Sequence, residues 1–434
     1  MNISVIGAGH VGLVTGACFA DLGNQVLMVD HDAKKIATLR RGRMPFYEPG
    51  LEELVRRGIA QRRLRFATST TEAVRHGTII FLCVGTPARS TGEADLTAIE
   101  DVTRQIASAM RSYRLIVEKS TVPVETGEWI KKTCRSTMRT GLAFDVASNP
   151  EFLREGQALH DFMKPDRIVL GVETKRARDL LLELYQPLQA PMVVTDVKSA
   201  ELIKHASNSF LAVKISYINA VAQLCDLVGA DVVQVAEGMG LDRRIGRAFL
   251  DAGIGYGGYC FPKDVSAFIR IAEEHGLDFQ LLKATARINT QQREQFVKRI
   301  EETVRNLENK TIAVLGLSFK PGTDDVREAP AVDIIRRLRE GGAKVRVCDP
   351  KAMPAADGLL PGVRYCQDVY DALRGADCLV VVTEWNEFKE LDFVRVKKLM
   401  RQSVVVDGRN IYSPSSLRKL GFRYVGVGRG HVAD

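Results

Sequence analysis

Short unbroken apolar runs recur along the chain, each followed by a small or polar turn and then by apolar positions three and four apart. Residues 2–30, NISVIGAGHVGLVTGACFADLGNQVLMVD, show the unit whole. The pattern predicts a β-strand, a glycine turn, a helix with Val11, Val14, Cys18 and Leu22 on one face, and a second strand ending at Asp30. TIIFLCV (78–84) and LIVEKS (115–120) do not alternate, as expected of parallel strands buried on both faces. The same order returns in TIAVLGL (311–317), AKVRVCDP (343–350), DCLVVVT (377–383) and SVVVDGRN (403–410). Between the halves, Leu202, Ile203, Ala206, Phe210, Val213, Ile218, Val221 and Leu224 recur at helical spacing without proline, predicting one long helix over 199–229 closed by Gly229. Helical text continues to about residue 305. It is interrupted by GYGGYCFPKD (255–264), too rich in glycine and proline for regular structure, which predicts a loop.

The expected fold is α/β, with two doubly wound parallel-sheet domains joined by a long central helix. Its expected segments are 1–198, a helical middle at 199–305 and a second sheet domain at 306–434. With 434 residues, 45% hydrophobic and 26% charged, the chain has an ordinary globular balance for two or three domains. Eight cysteines without a C-x-x-C pair argue against a disulfide framework and a zinc site, so no metal is expected and a reducing cytoplasm is. The chain enters a strand at once and its other apolar runs are strand-length, so neither export nor a membrane is expected. Its net charge of +8 is interspersed with acids and accompanied by no nucleic-acid motif. Nucleic acid is therefore not expected, and small anionic ligands such as nucleotides suit the surplus.

GAGHVG (7–12) sits between strand and helix, where Gly7 allows a tight turn, Gly9 lets backbone approach a pyrophosphate and Gly12 lets helix and strand pack closely. This makes the sheets Rossmann-like. Asp30 is placed to accept both ribose hydroxyls and to repel a 2′-phosphate, which selects NAD over NADP, although Lys34 and Lys35 stand nearby. Thr86 in VGTP and Thr121 in STVP follow strands at their carboxyl ends, where such sheets bind ligands; either alone would serve as a helix cap. Lys204 and Asn208 share a helix face, a pattern that elsewhere marks a solvated surface, and His205 points away as a structural residue. Cys260 and Asp264 are also four apart. A buried inert thiol is the bland alternative, but Gly255, Gly257 and Gly258 suit backbone approach to a ligand, and Lys263 and Lys204 favour a thiolate.

These residues, with PFYEPGLEELV (45–55), NPEFLREG (149–156), PDRIV (165–169), GLSFKPGTDDVREAP (316–330) and VDGRN (406–410), resemble the UDP-glucose/GDP-mannose dehydrogenase family over nearly the whole chain. The resemblance implies oxidation of a nucleotide sugar at C6 to a carboxylate with two NAD per turnover, in dimers or higher homo-oligomers formed through the long helix. It implies Gly7, Gly9, Gly12, Asp30, Lys35, Thr86, Thr121, Glu155, Lys263 and Arg327 at the cofactor. It implies Phe152, Leu153, Arg154, Glu155, Lys204, Asn208, Phe249, Tyr256, Gly257, Lys320 and Arg409 at the nucleotide sugar, with Arg244 lent by a partner subunit. Cys260 matches the nucleophile, Lys204 and Asn208 stabilise oxyanion character, and Asp264, Thr121 and Glu151 handle alcohol and water.

His10 and Ala220 depart from the family's usual aromatic and acidic residues, at positions without chemistry. NPEFLREG followed by KPDRIV resembles UDP-glucose enzymes more than GDP-mannose ones, so oxidation of UDP-glucose to UDP-glucuronate is expected. GDP-mannose oxidation is the near alternative, and a non-catalytic NAD-binding sensor the distant one.

Overall fold

The computed structural model describes residues 1–430 except 88 and 90–92. The chain divides into two units, one made of Met1–Ser207 and Ser266–Leu277, the other of Asn208–Val265 and Asp278–Asp434. Among the described residues each unit holds one sheet.

The first sheet comprises β1 (Asn2–Ile6), β2 (Gln25–Val29), β3 (Leu64–Ala67), β4 (Ile79–Leu82), β5 (Arg114–Glu118), β6 (Phe144–Ser148), β7 (Ile168–Gly171) and β8 (Met192–Thr195). Their order is β3-β2-β1-β4-β5-β6-β7-β8. All neighbours are parallel except β6 and β7, which meet antiparallel at Ser148 and Gly171. Side-chain alternation feeds two cores: Ile3, Val5, Ile79, Phe81, Leu115 and Val117 enter one, Ile6, Ile80, Leu82 and Ile116 the other.

The second sheet comprises β9 (Thr311–Leu315), β10 (Lys344–Cys348), β11 (Arg364–Tyr365), β12 (Cys378–Val381), β13 (Val404–Asp407) and β14 (Arg423–Gly426). Its order, β11-β10-β9-β12-β13-β14, is parallel throughout and repeats the first six positions of the other sheet. The doubly wound fold expected from the apolar runs is therefore present in both halves.

The helix read over 199–229 spans Val197–Val228 without a break. An 18-residue window of it reaches mean hydropathy 1.4, so by length and composition alone it could cross a membrane, yet a third of that window is buried in the protein. Along its outer side Phe210, Tyr217 and Leu224 follow one another at seven-residue intervals, 63%, 53% and 58% exposed, and lead to Leu227 and Val228. That is a stripe along one helix face.

One expectation fails locally. The predicted loop 255–264 is irregular only to Tyr259, because a helix begins at Cys260 and runs to Glu274. Pro262 does not prevent this, since the first turn needs no intrahelical donor from its N–H groups.

Candidate active site

In the first unit, β1 runs into a turn at Gly7, whose φ is +104° and whose N–H donates to Val29 O at 2.7 Å. A Cβ on Gly7 would lie 2.4 Å from Cys83 O, and one on Gly12 only 1.9 Å from Gly7 O. Neither position admits a side chain. A Cβ on Gly9 would meet nothing within 4 Å, and the helix His10–Asp21 starts directly after it. The open space thus lies at a helix N-terminus with unused amides, which fits a pyrophosphate.

Asp30 closes β2, buried, with Oδ2 accepting from Ala8 N at 2.8 Å and Lys35 Nζ at 2.9 Å and Oδ1 accepting from Asp32 N at 3.0 Å. Burial pushes its carboxyl up, but these bonds outweigh it and hold it below the usual aspartate range. Lys35 and Asp30 are therefore one ion pair beside the glycine turn.

Thr86 Oγ1 donates to Thr121 O at 2.8 Å, joining the carboxyl ends of β4 and β5. Beyond β6, Glu151 Oε2 accepts from Leu153 N at 2.6 Å and Oε1 from Lys204 Nζ at 3.0 Å. Both side chains are buried. Phe152 carries Arg167 over its ring at 3.6 Å, and Arg154 is turned outward onto Asp161. Glu155 contributes negative charge toward His10. His10 bonds Glu48 at 2.7 Å; burial lowers the imidazole's pKa, but that bond and the charge of Glu155 leave it raised. Glu48 also accepts from Gly156 N and Ala158 N, so PFYEPG anchors NPEFLREG. His205 turns from Lys204 to bond Val122 O at 2.7 Å, the structural role expected of it.

In the second unit, Asp264 is buried, with Oδ2 accepting from Asn208 Nδ2 and Oδ1 from Lys263 Nζ, both at 2.6 Å. Lys204 and Asn208 occupy successive turns of the same continuous helix. Cys260 opens the helix that carries Asp264 one turn later. Among the described residues, which include all eight cysteines, it alone is not buried, and none is in a disulfide. The other seven thiols are pushed up by burial, Cys83, Cys134 and Cys348 to about 12, which keeps them neutral. Such thiols are inert.

The loop before Cys260 is clamped by its backbone. Asn289 exchanges hydrogen bonds with Tyr256 N and O, Asn219 accepts from Gly253 N, and Gln292 donates to Gly253 O. Tyr256 packs edge-on against Phe261 at 5.9 Å, and Phe249, with φ of +65°, lies 6.3 Å from the same ring. The glycines are also required by the packing of the loop itself. A Cβ on Gly257 would be 2.3 Å from Glu328 O and one on Gly258 2.8 Å from the Phe319 ring, so both positions admit close approach of the protein's own chain.

Arg409 reaches Gly255 O at 3.4 Å, Phe319 O at 3.3 Å and Val382 O at 2.9 Å, tying this loop to the segment that carries Lys320. Lys320 Nζ lies 5.5 Å from the Phe319 ring, and Arg327 stacks on Tyr259 at 4.3 Å while paired with Asp325. Arg244 is 90% exposed and, among the described residues, is held by Asp242 at its own turn.

Glu48, Asn149 and Lys119 were not singled out from the sequence, although each lies inside a quoted motif. Asn289 and Gln292 lie in helical text that carries no signal. Among the described residues no group of three His, Cys, Asp or Glu side chains is placed to hold a metal.

Residues 1–189 match the NAD binding domain of the UDP-glucose/GDP-mannose dehydrogenase family, 198–291 its central domain and 313–414 its UDP binding domain. The chain is 46% identical over 432 residues to UDP-glucose 6-dehydrogenase TuaD of Bacillus subtilis, covering 99% of this chain and 94% of that one. It is 45% identical over 436 residues to UDP-glucose 6-dehydrogenase of Rhizobium meliloti, covering 99% and 100%. A UDP-glucose dehydrogenase structure from Pyrobaculum islandicum superposes with a TM-score of 0.92 at 42% identity, covering 99% and 98%. With three family domains matched along the chain and full-length identity of this order, the chain belongs to the UDP-glucose/GDP-mannose dehydrogenase family.

Proposed function

We propose that the protein is an NAD-dependent UDP-glucose 6-dehydrogenase that makes UDP-glucuronate through a cysteine thioester, as part of nucleotide-sugar metabolism that feeds polysaccharide synthesis. The observation that carries the reading is Cys260: the one thiol not buried, at a helix start that favours negative charge, one turn from Asp264. We assign 1–198 to the cofactor, 199–305 to the helical segment with the cysteine, and 306–434 to the nucleotide sugar.

Gly7, Gly9, Gly12, Asp30, Lys35, Thr86, Thr121, Glu155, Lys263 and Arg327 would hold NAD, which would supply the hydride acceptor for each half of the oxidation. Thr121 and Asp264 orient the C6 hydroxyl, and the Asp264 carboxylate takes its proton. The Cys260 sulfur adds to the aldehyde carbon, and its proton ends on the new hydroxyl of the thiohemiacetal. Lys204 and Asn208, whose N–H groups lie on one helix face, donate to the oxygen at that carbon. After the second oxidation gives the thioester, Glu151 takes a proton from water, the C–S bond breaks, and the thiol is restored with the carboxylate. Phe152 to Glu155, Phe249, Tyr256, Gly257, Lys320 and Arg409 hold the nucleotide sugar.

The exposed Phe210, Tyr217 and Leu224 stripe supports a homodimer through the long helix, and Arg244, 90% exposed beside Asp242, reaches the partner's site. The reaction belongs in the cytoplasm, where the cysteine stays reduced.

The test follows NADH with UDP-glucose, GDP-mannose and UDP-N-acetyl sugars, and counts NADH per sugar acid. UDP-glucose should give the highest specificity constant and two NADH. Cys260→Ser should abolish two-NADH turnover while retaining UDP-glucose binding, and Glu151→Gln should accumulate a sugar-nucleotide adduct visible by protein mass. Near-normal stoichiometry in Cys260→Ser would refute the covalent mechanism.

A further inference from the structure

An ammonium buried away from carboxylates loses water without gaining an ion pair, which is costly. Lys119 is such a group. It directly follows β5, its side chain is 4% exposed, and Nζ donates to Asn149 O at 3.3 Å and Asn149 Oδ1 at 3.0 Å. Neither partner is charged, and no ion pair is formed among the described residues. Packing alone would be served better by methionine, so the charge needs another reason.

Asn149 leads to that reason. Its N–H donates to Glu118 O at 2.8 Å and its Nδ2 to Val169 O at 2.9 Å, while Oδ1 also accepts from the Tyr185 hydroxyl. It is thus fixed from β5, β7 and the helix Lys175–Tyr185. Two residues on stands Glu151, bridged to Lys204 at 3.0 Å. Lys119, Asn149, Glu151, Phe152, Arg167 and Tyr185 line one narrow cleft of about 40 Å³.

The groups facing Lys119 come from four other elements. Cys83 after β4 and Tyr185 are neutral, since burial pushes the thiol up to about 12 and the phenol well above its ordinary value. Glu151 and Lys204 supply the charge. Arg167 lies over Phe152, and Asp161 in the same cleft is taken by Arg154. Glu118, the preceding residue of the strand, points to the opposite face.

We propose that Lys119 is a positioning residue for the oxidation, its ammonium fixing through Asn149 the turn that carries Glu151 and supplying positive charge behind the Glu151–Lys204 pair. The inference rests on Glu151 being the proton-handling carboxylate. Burial brings the lysine down to about 8, with Lys204 pushing the same way and Cys83 and Glu151 opposing. The charge is therefore present at neutral pH and lost as pH rises through that value, and turnover should fall with it.

The test uses the full chain with NAD and UDP-glucose, comparing wild type, Lys119→Met and Lys119→Arg by Tm, by kcat and KM, and by kcat against pH. Lys119→Met should keep or raise Tm, because it removes an unpaired buried charge, yet lower kcat about tenfold or more with both KM values within about threefold. Its alkaline fall in kcat should disappear. Lys119→Arg, which keeps a cation that does not titrate here, should retain more activity and also lose the alkaline fall. Wild-type kcat and an unchanged alkaline limb in Lys119→Met would overturn the inference. So would losses in both variants that merely track loss of folded protein. A wild type inactive on every nucleotide sugar would overturn the reading of the site, and this inference with it.

Discussion

The two sheets share one strand order but build the turn after the central strand differently. After β1, the glycine turn passes into a helix at His10, so main-chain N–H groups face the ligand side. After β9, Gly316 makes the same kind of turn, with φ of +105° and a Cβ that would lie 2.3 Å from Thr383 Oγ1, but the next helix waits until Pro330. The intervening loop carries Lys320 and Arg327, cationic side chains in place of helix amides.

The acid ending the second strand differs too. Asp30 accepts three hydrogen bonds, one from partly exposed Lys35. Asp349 accepts six, from Leu317 N, Ser318 N and Oγ, Trp385 Nε1, Lys351 N and Ala352 N. It has no capacity left for a ribose. Topology repeats between the halves while ligand chemistry does not, because side chains and turn length set that chemistry.

The largest test of this contrast is Asp349→Ala, which strands several buried donors and should lower stability by about 3–5 kcal/mol in urea unfolding. Asp30→Ala should lose only about 1 kcal/mol, because Lys35 can turn to water. Equal losses would erase the distinction between a locked acid and a ligand-facing one.

The next effect is on the cofactor. Asp30→Ala should raise KM for NAD about tenfold and narrow the preference over NADP, a change worth about 1.4 kcal/mol, whereas Asp349→Asn should leave both ratios unchanged. An Asp30→Ala enzyme with wild-type cofactor preference would remove this acid from the nucleotide site.

The smallest effect concerns the acids ending β5 and β13. Glu118 is buried without a hydrogen bond of normal geometry, and burial, then the charge of Glu201, raises it well above the ordinary 4.5. The unfolded chain therefore releases this proton first, and stability falls as pH climbs above 4.5. Glu118→Gln should match wild type at lower pH and exceed it increasingly above that value, measured as the urea midpoint. Asp407 is also raised by burial, but it accepts from Arg409 N, Tyr412 N and Tyr424 OH. Asp407→Asn should therefore destabilise at every pH. A shared sign for the two variants would defeat the comparison.

How much could be read in advance depends on the kind of contact. β1, β4, β5, β9, β12 and β13 were legible as apolar runs, since both of their faces are buried and both must be hydrophobic. β3, β6, β7, β8, β11 and β14 were not singled out: most are only four or five residues long and several carry polar or exposed positions, which blurs the pattern. The helix start at Cys260 was hidden by Pro262, a breaker inside a helix but not in its first turn. Lys119 was quoted as part of LIVEKS without a role, because nothing local shows that its partner lies thirty residues away.

By itself the sequence determined the doubly wound halves, the long helix and the glycine turn with Asp30. Each of these depends on local spacing, on periodicity or on a short motif whose geometry is set within a few residues. Only the tertiary structure decided which thiols are buried and inert, what packs against Gly257 and Gly258, that Asp349 is saturated while Asp30 is not, and that the buried Lys119 ammonium is held by the neutral Asn149. Those properties arise from packing and desolvation between segments far apart in the chain, and no pattern along one segment records what another will place against it.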